Sequence, residues 1–228
     1  MDNCMILDFL SDLDQNNMKA WFAQHKIQYR AANDAFLQLV EALIFEIGKT
    51  DPAILHNEAK NLTFKLQRDT RFSKDKSPYN PSFRAHIGPC GKLPVPVGYY
   101  VMIKPDHGTF LGGGLFAHMF KEATEKIRAY IASHWEEWDA IVNAPEFKKY
   151  FQVKGNALKN VPREYPKDHP QAEFLKYKSW YVEYFVEDAI VRDSEQFVAL
   201  AAKVFLVMKD FNDFLNRALE GFVMPEHP

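Results

Sequence analysis

A short polar segment, residues 68–79, concentrates side chains that bind anions. Its cations are Arg68, Arg71, Lys74 and Lys76, and its hydroxyl donors include Ser73 and Tyr79. Arginine presents a rigid fork of donors that suits carboxylate or phosphate, and lysine adds a compact positive charge. The segment is polar and rich in turn residues, so we expect a loop, where binding side chains often gather. The pattern therefore predicts a site for an anionic small molecule, either phosphorylated or carboxylated.

Two aspartates in the same loop leave other interpretations open. Asp69 and Asp75 could pair with the neighbouring cations and make a solvated loop that neutralises itself. The loop could instead meet the acidic surface of a partner protein, or Arg68 and Arg71 could be buried in ion pairs that fix the sheet edge. A concave cavity behind the loop would favour a ligand site, whereas a flat apolar patch would favour a protein-interaction module.

The second candidate is a run of three glycines, Gly112, Gly113 and Gly114. We predict that the run ends a strand and opens a helix, where unpaired N–H groups can bind an anion and no β-carbon blocks its approach. The run matches neither G-x-G-x-x-G nor the P-loop pattern. A tight join between strand and helix remains the alternative interpretation.

Other catalytic chemistry finds less support in the sequence. His86, His107 and His169 fall near predicted loops, but no histidines have metal-ligand spacing, so we predict neither a metal site nor a cofactor. No nucleophile motif is present, and whether the protein is an enzyme stays undecided. Phe72, Tyr79, Tyr99 and Tyr100 add aromatic rings near the basic loop, which is a feature of nucleic-acid binding.

Charge and composition narrow the classes of partner. The chain has a net charge of −2, with an island of seven basic and two acidic side chains in residues 62–92. Extended nucleic-acid binding needs a continuous basic groove, so a single nucleotide or another small anion fits better. Apolar residues at 47% and charged residues at 25% are typical of globular proteins. We expect no membrane span or signal peptide, and the sequence leaves the oligomeric state open.

The two cysteines, Cys4 and Cys90, bear on the cellular location. They lie far apart in a chain long enough to fold without disulfides, so we expect reduced thiols. This expectation, with the absence of a predicted targeting segment, predicts a cytoplasmic protein.

Hydrophobic periodicity predicts the elements that must position these residues. An apolar stripe with helical spacing runs to Ile47, and Gly48 is typical of a helix end. Alternating segments at 62–67, 82–87 and 98–104 predict strands, and Pro105-Asp106-His107-Gly108 predicts a hairpin turn before a returning strand. Short connections favour an antiparallel sheet. We predict a single α+β domain over 1–228, with a mostly antiparallel sheet flanked by helices. Its parts are N-terminal helices at 5–48, a sheet-rich middle at 62–114, helices at 115–152, a late strand at 175–186 and a C-terminal helix at 194–220 capped by Ser194.

Several of these segments together carry a family resemblance. Residues 68–79, Gly98-Tyr-Tyr and Phe110-Leu-Gly-Gly-Gly-Leu115, with the flanking pieces Asn17-x-x-x-Trp21-Phe22 and Val161-Pro-Arg163, closely match one pattern. The chain resembles the uncharacterised bacterial and fungal family of domain of unknown function 2461, across nearly its whole length. The resemblance implies one domain and brings no settled activity. The family often has lysine after Pro-Tyr where this chain has Asn80, which removes one possible cation from the loop.

Overall fold

Three helices begin the chain and supply much of its core. The computed structural model describes residues 3–116 and 120–225. The helices are α1 (Cys4–Gln15), α2 (Lys19–Gln24) and α3 (Lys26–Gly48). They occupy the segment 5–48, in which the sequence predicts helices. Phe36, Val40, Leu43 and Ile47 recur along one side of α3 and are buried. This spacing places them on a single helical face, so their burial is what holds α3 against the rest of the core.

The middle of the chain forms a four-stranded antiparallel sheet, in agreement with the predicted fold class. Its strands are β1 (Phe83–Ile87), β2 (Tyr99–Ile103), β3 (Phe110–Leu115) and β4 (Trp180–Phe185), in the order β1-β2-β3-β4. The predicted hairpin between β2 and β3 is present. Asp106 and His107 both have φ of 58° there, and both donate their backbone N–H to the carboxylate of Asp188. Two successive residues with positive φ give the turn the twist of the strands that it joins.

The remaining α-helices lie at three places in the chain. They are α4 (Ala59–Leu62), α5 (Lys121–Ser133), α6 (Trp135–Asn143), α7 (Pro145–Tyr150), α8 (Ala172–Leu175), α9 (Asp188–Arg192) and α10 (Ser194–Ala218). Of these, α4 lies before β1, α5–α8 lie between β3 and β4, and α9 and α10 lie after β4. The N-cap of α10 is Asp193, whose carboxylate accepts the N–H of Gln196 at 3.0 Å. The prediction that Ser194 caps this helix is therefore wrong by one residue, because the aspartate before it supplies the acceptor.

The two faces of the sheet differ. On one face Tyr99, Val101 and Leu111 are buried, and α10 lies against them with the Phe205 ring 5.3 Å from that of Tyr99. Side chains alternate along a strand, so Tyr100 and Phe110 belong to the opposite face. We call this opposite face, which also carries Arg84, His86 and Glu183, the open face. Its side chains are less uniformly buried than those under α10.

Short extended segments run beside both outer strands. Thr63 bridges Ala85 of β1, and Lys154 bridges Tyr181 of β4. The predicted strand at 62–67 is wrong, because Leu62 ends α4 and the chain leaves β1 after Phe64, whose N–H donates to the Arg84 carbonyl. It then forms a bridge between Gln67 and Tyr79, which closes the base of the loop at residues 68–79.

Two other predicted boundaries need correction. The late strand begins at Trp180 rather than 175, since α8 occupies 172–175 and buries Leu175 at its end. The helical region 115–152 is broken at His134 and at Ala144, and Leu115 is the last residue of β3. Residues 117–119 of that predicted region lie outside the described residues. Within the described ranges, no helix is both long and apolar enough to cross a membrane.

Candidate functional site

The cations of the basic loop pair with the aspartates of the same loop. The Arg71 guanidinium donates to the Asp69 carboxylate from Nε at 3.0 Å and from Nη2 at 2.6 Å, and Arg68 forms an ion pair with Asp75. Hydrogen bonds from Arg68, and then from Ser77, hold the pKa of Asp75 well below its usual value. These contacts match the interpretation in which the loop neutralises much of its own charge.

The other loop residues make separate contacts. The ammonium group of Lys76 donates to the Thr70 carbonyl at 2.9 Å, and Lys74 is exposed. Ser73 lies 3.4 Å from Nη2 of Arg68. Residues 68–79 line none of five well-formed cavities found among the described residues.

Tyr79 has a structural role at the base of the loop. Its ring stacks on Phe22 with centroids 4.3 Å apart, and its backbone exchanges two hydrogen bonds with the side chain of Asn17 at 3.0 and 3.1 Å. The N-terminal motif and the loop motif thus meet in space. Tyr79 anchors the loop on the start of the helical layer.

The glycine run lies within β3 and does not join a strand to a helix. Gly112 pairs with Tyr100 and Glu183, Gly113 pairs with Val182, and Gly114 pairs with Tyr181. The predicted helix opening is wrong, since α5 begins at Lys121, beyond residues 117–119 that lie outside the described residues. A central strand uses its backbone groups in ladders on both sides, which removes the physical reason for an anion site at a helix start.

A cavity of about 320 Å³ lies on the open face of the sheet. Its lining includes His86, Lys92, Tyr100, Phe110, Phe116 and Glu183. All four strands contribute to one row across the sheet, because His86 pairs with Tyr100, Tyr100 with Gly112, and Gly112 with Glu183. Neighbouring strands are about 4.8 Å apart, so the row crosses the whole sheet.

Gly112 shapes the floor of this cavity. A β-carbon at this position would lie 3.2 Å from Cζ of Phe116 and 3.3 Å from Cε2 of Phe110. The missing side chain therefore lets both rings approach the sheet between Tyr100 and Glu183. The Tyr100 ring has its centroid 5.6 Å from that of Phe110 and 5.8 Å from that of Phe116. These rings give the cavity an aromatic wall.

Burial sets the protonation of the two polar groups at its centre. His86 is 8% exposed, and its Nδ1 lacks a hydrogen-bond partner in the described part of the chain. Burial lowers the pKa of His86 to about 4, and a hydrogen bond with the Gly91 backbone opposes this lowering by less. Burial also raises the pKa of Tyr100, which Arg84 partly offsets. At neutral pH the site thus holds an uncharged imidazole beside a protonated phenol, and both can exchange hydrogen bonds with a ligand.

The two ends of the cavity differ in charge, since one is cationic and the other holds an ion pair. Near β1, Arg84 and Lys92 lie 5.7 and 5.9 Å from the Phe64 ring. Nη2 of Arg84 donates to the Lys65 carbonyl at 3.1 Å, while its buried Nε has no partner among the described atoms. Near β4, the half-buried Glu183 accepts from Lys154 at 3.0 Å. The cationic end therefore faces the Glu183–Lys154 ion pair across the aromatic wall.

The three histidines considered as metal ligands have separate surroundings. His107 pairs with Glu187 at the hairpin, and the His169 ring contacts the Ala132 carbonyl and the Gln171 N–H. No group of three or more metal-ligating side chains occurs within residues 3–116 and 120–225. The imidazole of His86 faces the cavity without either of the other two.

The sequence drew attention to His86 and Tyr100 separately, but did not place them together. Their contact depends on the register of β1 against β2, and Glu183 joins the row only through β4. The local signal that was available is the alternation along β2, which puts Tyr100 and Met102 on the face opposite to Tyr99 and Val101. Lys92 lies in an irregular segment after β1, where no periodic pattern indicates a role.

Comparison with known proteins gives one match. The model of a family described as conserved hypothetical protein (DUF2461) matches residues 5–214. No curated protein and no solved structure matches the chain.

Proposed function

Since this chain belongs to the conserved hypothetical protein family DUF2461, we propose its function from its own geometry: it binds a small planar molecule that carries an anionic group. The binding site is the cavity on the open face. One observation carries the proposal, namely an aromatic cavity of about 320 Å³ whose lining combines the buried imidazole of His86 with the exposed cation of Lys92. Ligand pockets typically span about 300–1,000 Å³ and combine apolar walls with few polar groups.

The charges near β1 favour an anionic ligand. The ammonium group of Lys92 has only a long contact of 3.4 Å with the Thr63 carbonyl, and Nε of Arg84 has no partner within the described ranges. Lys92 lines the cavity and therefore has donors to offer, and Arg84 adds a second positive charge near it. A carboxylate or phosphate beside Lys92 would form charge-assisted hydrogen bonds, which are shorter and stronger than neutral ones.

The basic loop supports an anion site less well than the cavity does. An anion that used Arg71 would have to displace Asp69, and one that used Arg68 would have to displace Asp75. The loop also lies in solvent, where such contacts are weak. A different function, docking of a partner protein on the loop, draws support from Phe72 at the loop surface, which is 95% exposed.

Matched lysine variants test the cavity against the loop. The melting temperature is measured with a library of phosphorylated and carboxylated small molecules, for the parent protein, Lys92→Met and Lys74→Met. Both lysines are exposed, so neither change should disturb folding. A ligand at one hundred times its Kd adds about 2.7 kcal/mol of stability. For a chain of this size that corresponds to a rise of about 5–10 °C.

We expect Lys92→Met to reduce this rise and Lys74→Met to leave it unchanged. The reverse result would assign the ligand to the loop. If no compound raises the melting temperature of the parent protein, the proposed function is wrong. A protein partner on the loop would then be tested with Phe72→Ala.

A further inference from the structure

We infer that the ligand of the open-face cavity is a free mononucleotide, with its phosphate near Lys92 and Arg84 and the edge of its base at Glu183 and Lys154. This inference rests on the proposed function and adds the class of ligand to it. It is carried by the order of charges and rings across the sheet, from β1 to β4.

The length of the site excludes the smallest anions as full occupants. Cationic groups lie at β1, and the carboxylate lies at β4, so three strand spacings separate them. These spacings sum to about 14 Å between the outer strands, and side chains from both ends shorten the gap. Inorganic phosphate or a short carboxylic acid can contact only one end. A mononucleotide has an anion at one end and hydrogen-bonding groups at the other.

The middle of the site fits a planar ring. The Tyr100 and Phe116 rings have centroids 5.8 Å apart and planes tilted by 48°, so a ligand ring would stack on the cavity side of this wall and not between the two rings. Phe116 is held in turn by stacking on Tyr181 at 4.6 Å. Gly112, which pairs with Tyr100, adds no side chain to the wall. Bases stack on aromatic side chains of this kind, with about 1–3 kcal/mol per base.

The polar pair at β4 matches one base edge better than the others. Glu183 uses Oε2 to accept from Lys154, which leaves Oε1 as an acceptor beside a cationic donor. Guanine presents N–H donors next to its O6 acceptor, so it can bond to a carboxylate and an ammonium group together. Adenine presents a single amino donor beside a ring-nitrogen acceptor, so it can donate one hydrogen bond to the carboxylate where guanine can donate two, from N1–H and from its amino group. The Glu183–Lys154 pair therefore favours guanine over adenine.

His86 lies nearer the phosphate end, in the strand next to Tyr100. Its uncharged imidazole can accept a hydrogen bond from a sugar hydroxyl. The phenol of Tyr100 remains protonated and can donate to a phosphate or sugar oxygen. Each part of a mononucleotide thus meets a group of matching chemistry.

The test is calorimetric titration of the parent protein with GMP, AMP, guanosine, inorganic phosphate and a guanosine trinucleotide. We expect GMP to bind at least tenfold more tightly than guanosine and more tightly than AMP. Inorganic phosphate should bind weakly or not at all. Lys92→Met should weaken GMP about tenfold and leave guanosine unchanged, because only the phosphate contact is lost.

The base end has its own variants. Glu183→Gln and Lys154→Met should each reduce the preference for GMP over AMP, while Glu187→Gln, at an exposed glutamate that pairs with His107, should not. Lys154→Met serves as the second test if the half-buried Glu183 position does not tolerate substitution. Circular dichroism establishes that each variant is folded.

Four outcomes would overturn the inference. They are equal affinity for GMP and guanosine, phosphate binding as tight as GMP, a trinucleotide that binds more tightly than GMP, and an unchanged base preference in both β4 variants. If another library compound depends on Lys92 while no nucleotide binds, the nucleotide inference fails and the proposed function stands. If no compound binds the parent protein at all, both fail.

Discussion

Replacing Gly113 with alanine tests how closely α10 is seated on the sheet. A β-carbon at Gly113 would lie 2.2 Å from Sδ of Met208 and 2.9 Å from Oδ1 of Asn212. Both neighbours are buried, so neither can move into solvent. Overpacking of this kind costs about 1–3 kcal/mol. The reduced freedom of the unfolded chain returns about 0.4–1 kcal/mol. We expect a net loss of about 1–2 kcal/mol, or a melting temperature lower by about 2–8 °C.

A double-mutant cycle in urea separates this clash from a general loss of stability. Met208→Ala alone should cost about 2–5 kcal/mol, because it leaves a cavity under the sheet. In the Met208→Ala background, Gly113→Ala should lower the free energy of unfolding by about 1 kcal/mol less than it does in the parent, because the new methyl group enters the vacated space. Gly112→Ala is the control on the opposite face, where the atoms nearest to the new β-carbon would be the Val182 carbonyl oxygen at 3.0 Å and Cζ of Phe116 at 3.2 Å, and neither belongs to α10. Equal costs of Gly113→Ala in both backgrounds would refute close seating of α10 at this glycine.

Three further outcomes follow from burial and hydrogen bonding. Between about pH 7 and pH 5 the free energy of unfolding should fall by about 2 kcal/mol more in the parent than in His86→Gln. Because the pKa of His86 is about 4 in the folded protein, the unfolded chain binds this proton at a higher pH than the folded protein does. Urea titrations of the parent and of His86→Gln at both pH values measure the difference. Asn216→Ala should cost about 1–3 kcal/mol in urea unfolding, because its amide pairs with both the N–H and the carbonyl of Val97 at 2.8 and 3.0 Å. Arg71→Ala should leave the urea midpoint unchanged, since its ion pair with Asp69 is exposed, and a clear shift would contradict the surface placement of that pair.

Elements that are determined by residues close together in the chain could be predicted from the sequence. The stripe of α3 reports which side of that helix is buried, and the Asp106-His107 turn sets the pairing of β2 with β3. Boundaries were less well predicted where tertiary contacts decide them. The segment after Leu62 alternates like a strand, but it pairs with β1 only briefly before it turns to form the loop base.

The candidate site was harder to predict because its residues are distant in sequence. His86 and Glu183 share one row only after four strands have taken a single register. The prediction for the glycine run was wrong for a related reason. Three glycines after a strand suggest a join to a following helix, whereas here Met208 packs on one side of them and Phe116 on the other, and they continue the strand. Pairing within the basic loop, by contrast, was open to prediction, because Asp69 and Arg71 are near neighbours.

The segments that bridge the outer strands have a consequence for behaviour at high concentration. Exposed strand edges are the sites at which separate molecules add to one another's sheets and begin to aggregate. Here the backbone at Thr63 and Phe64 occupies part of the β1 margin, and Lys154 exchanges both backbone hydrogen bonds with Tyr181 on the β4 margin. Few backbone groups at these points remain available to pair with a strand of another molecule. The protein's own connecting segments therefore protect its sheet from adding strands of other molecules.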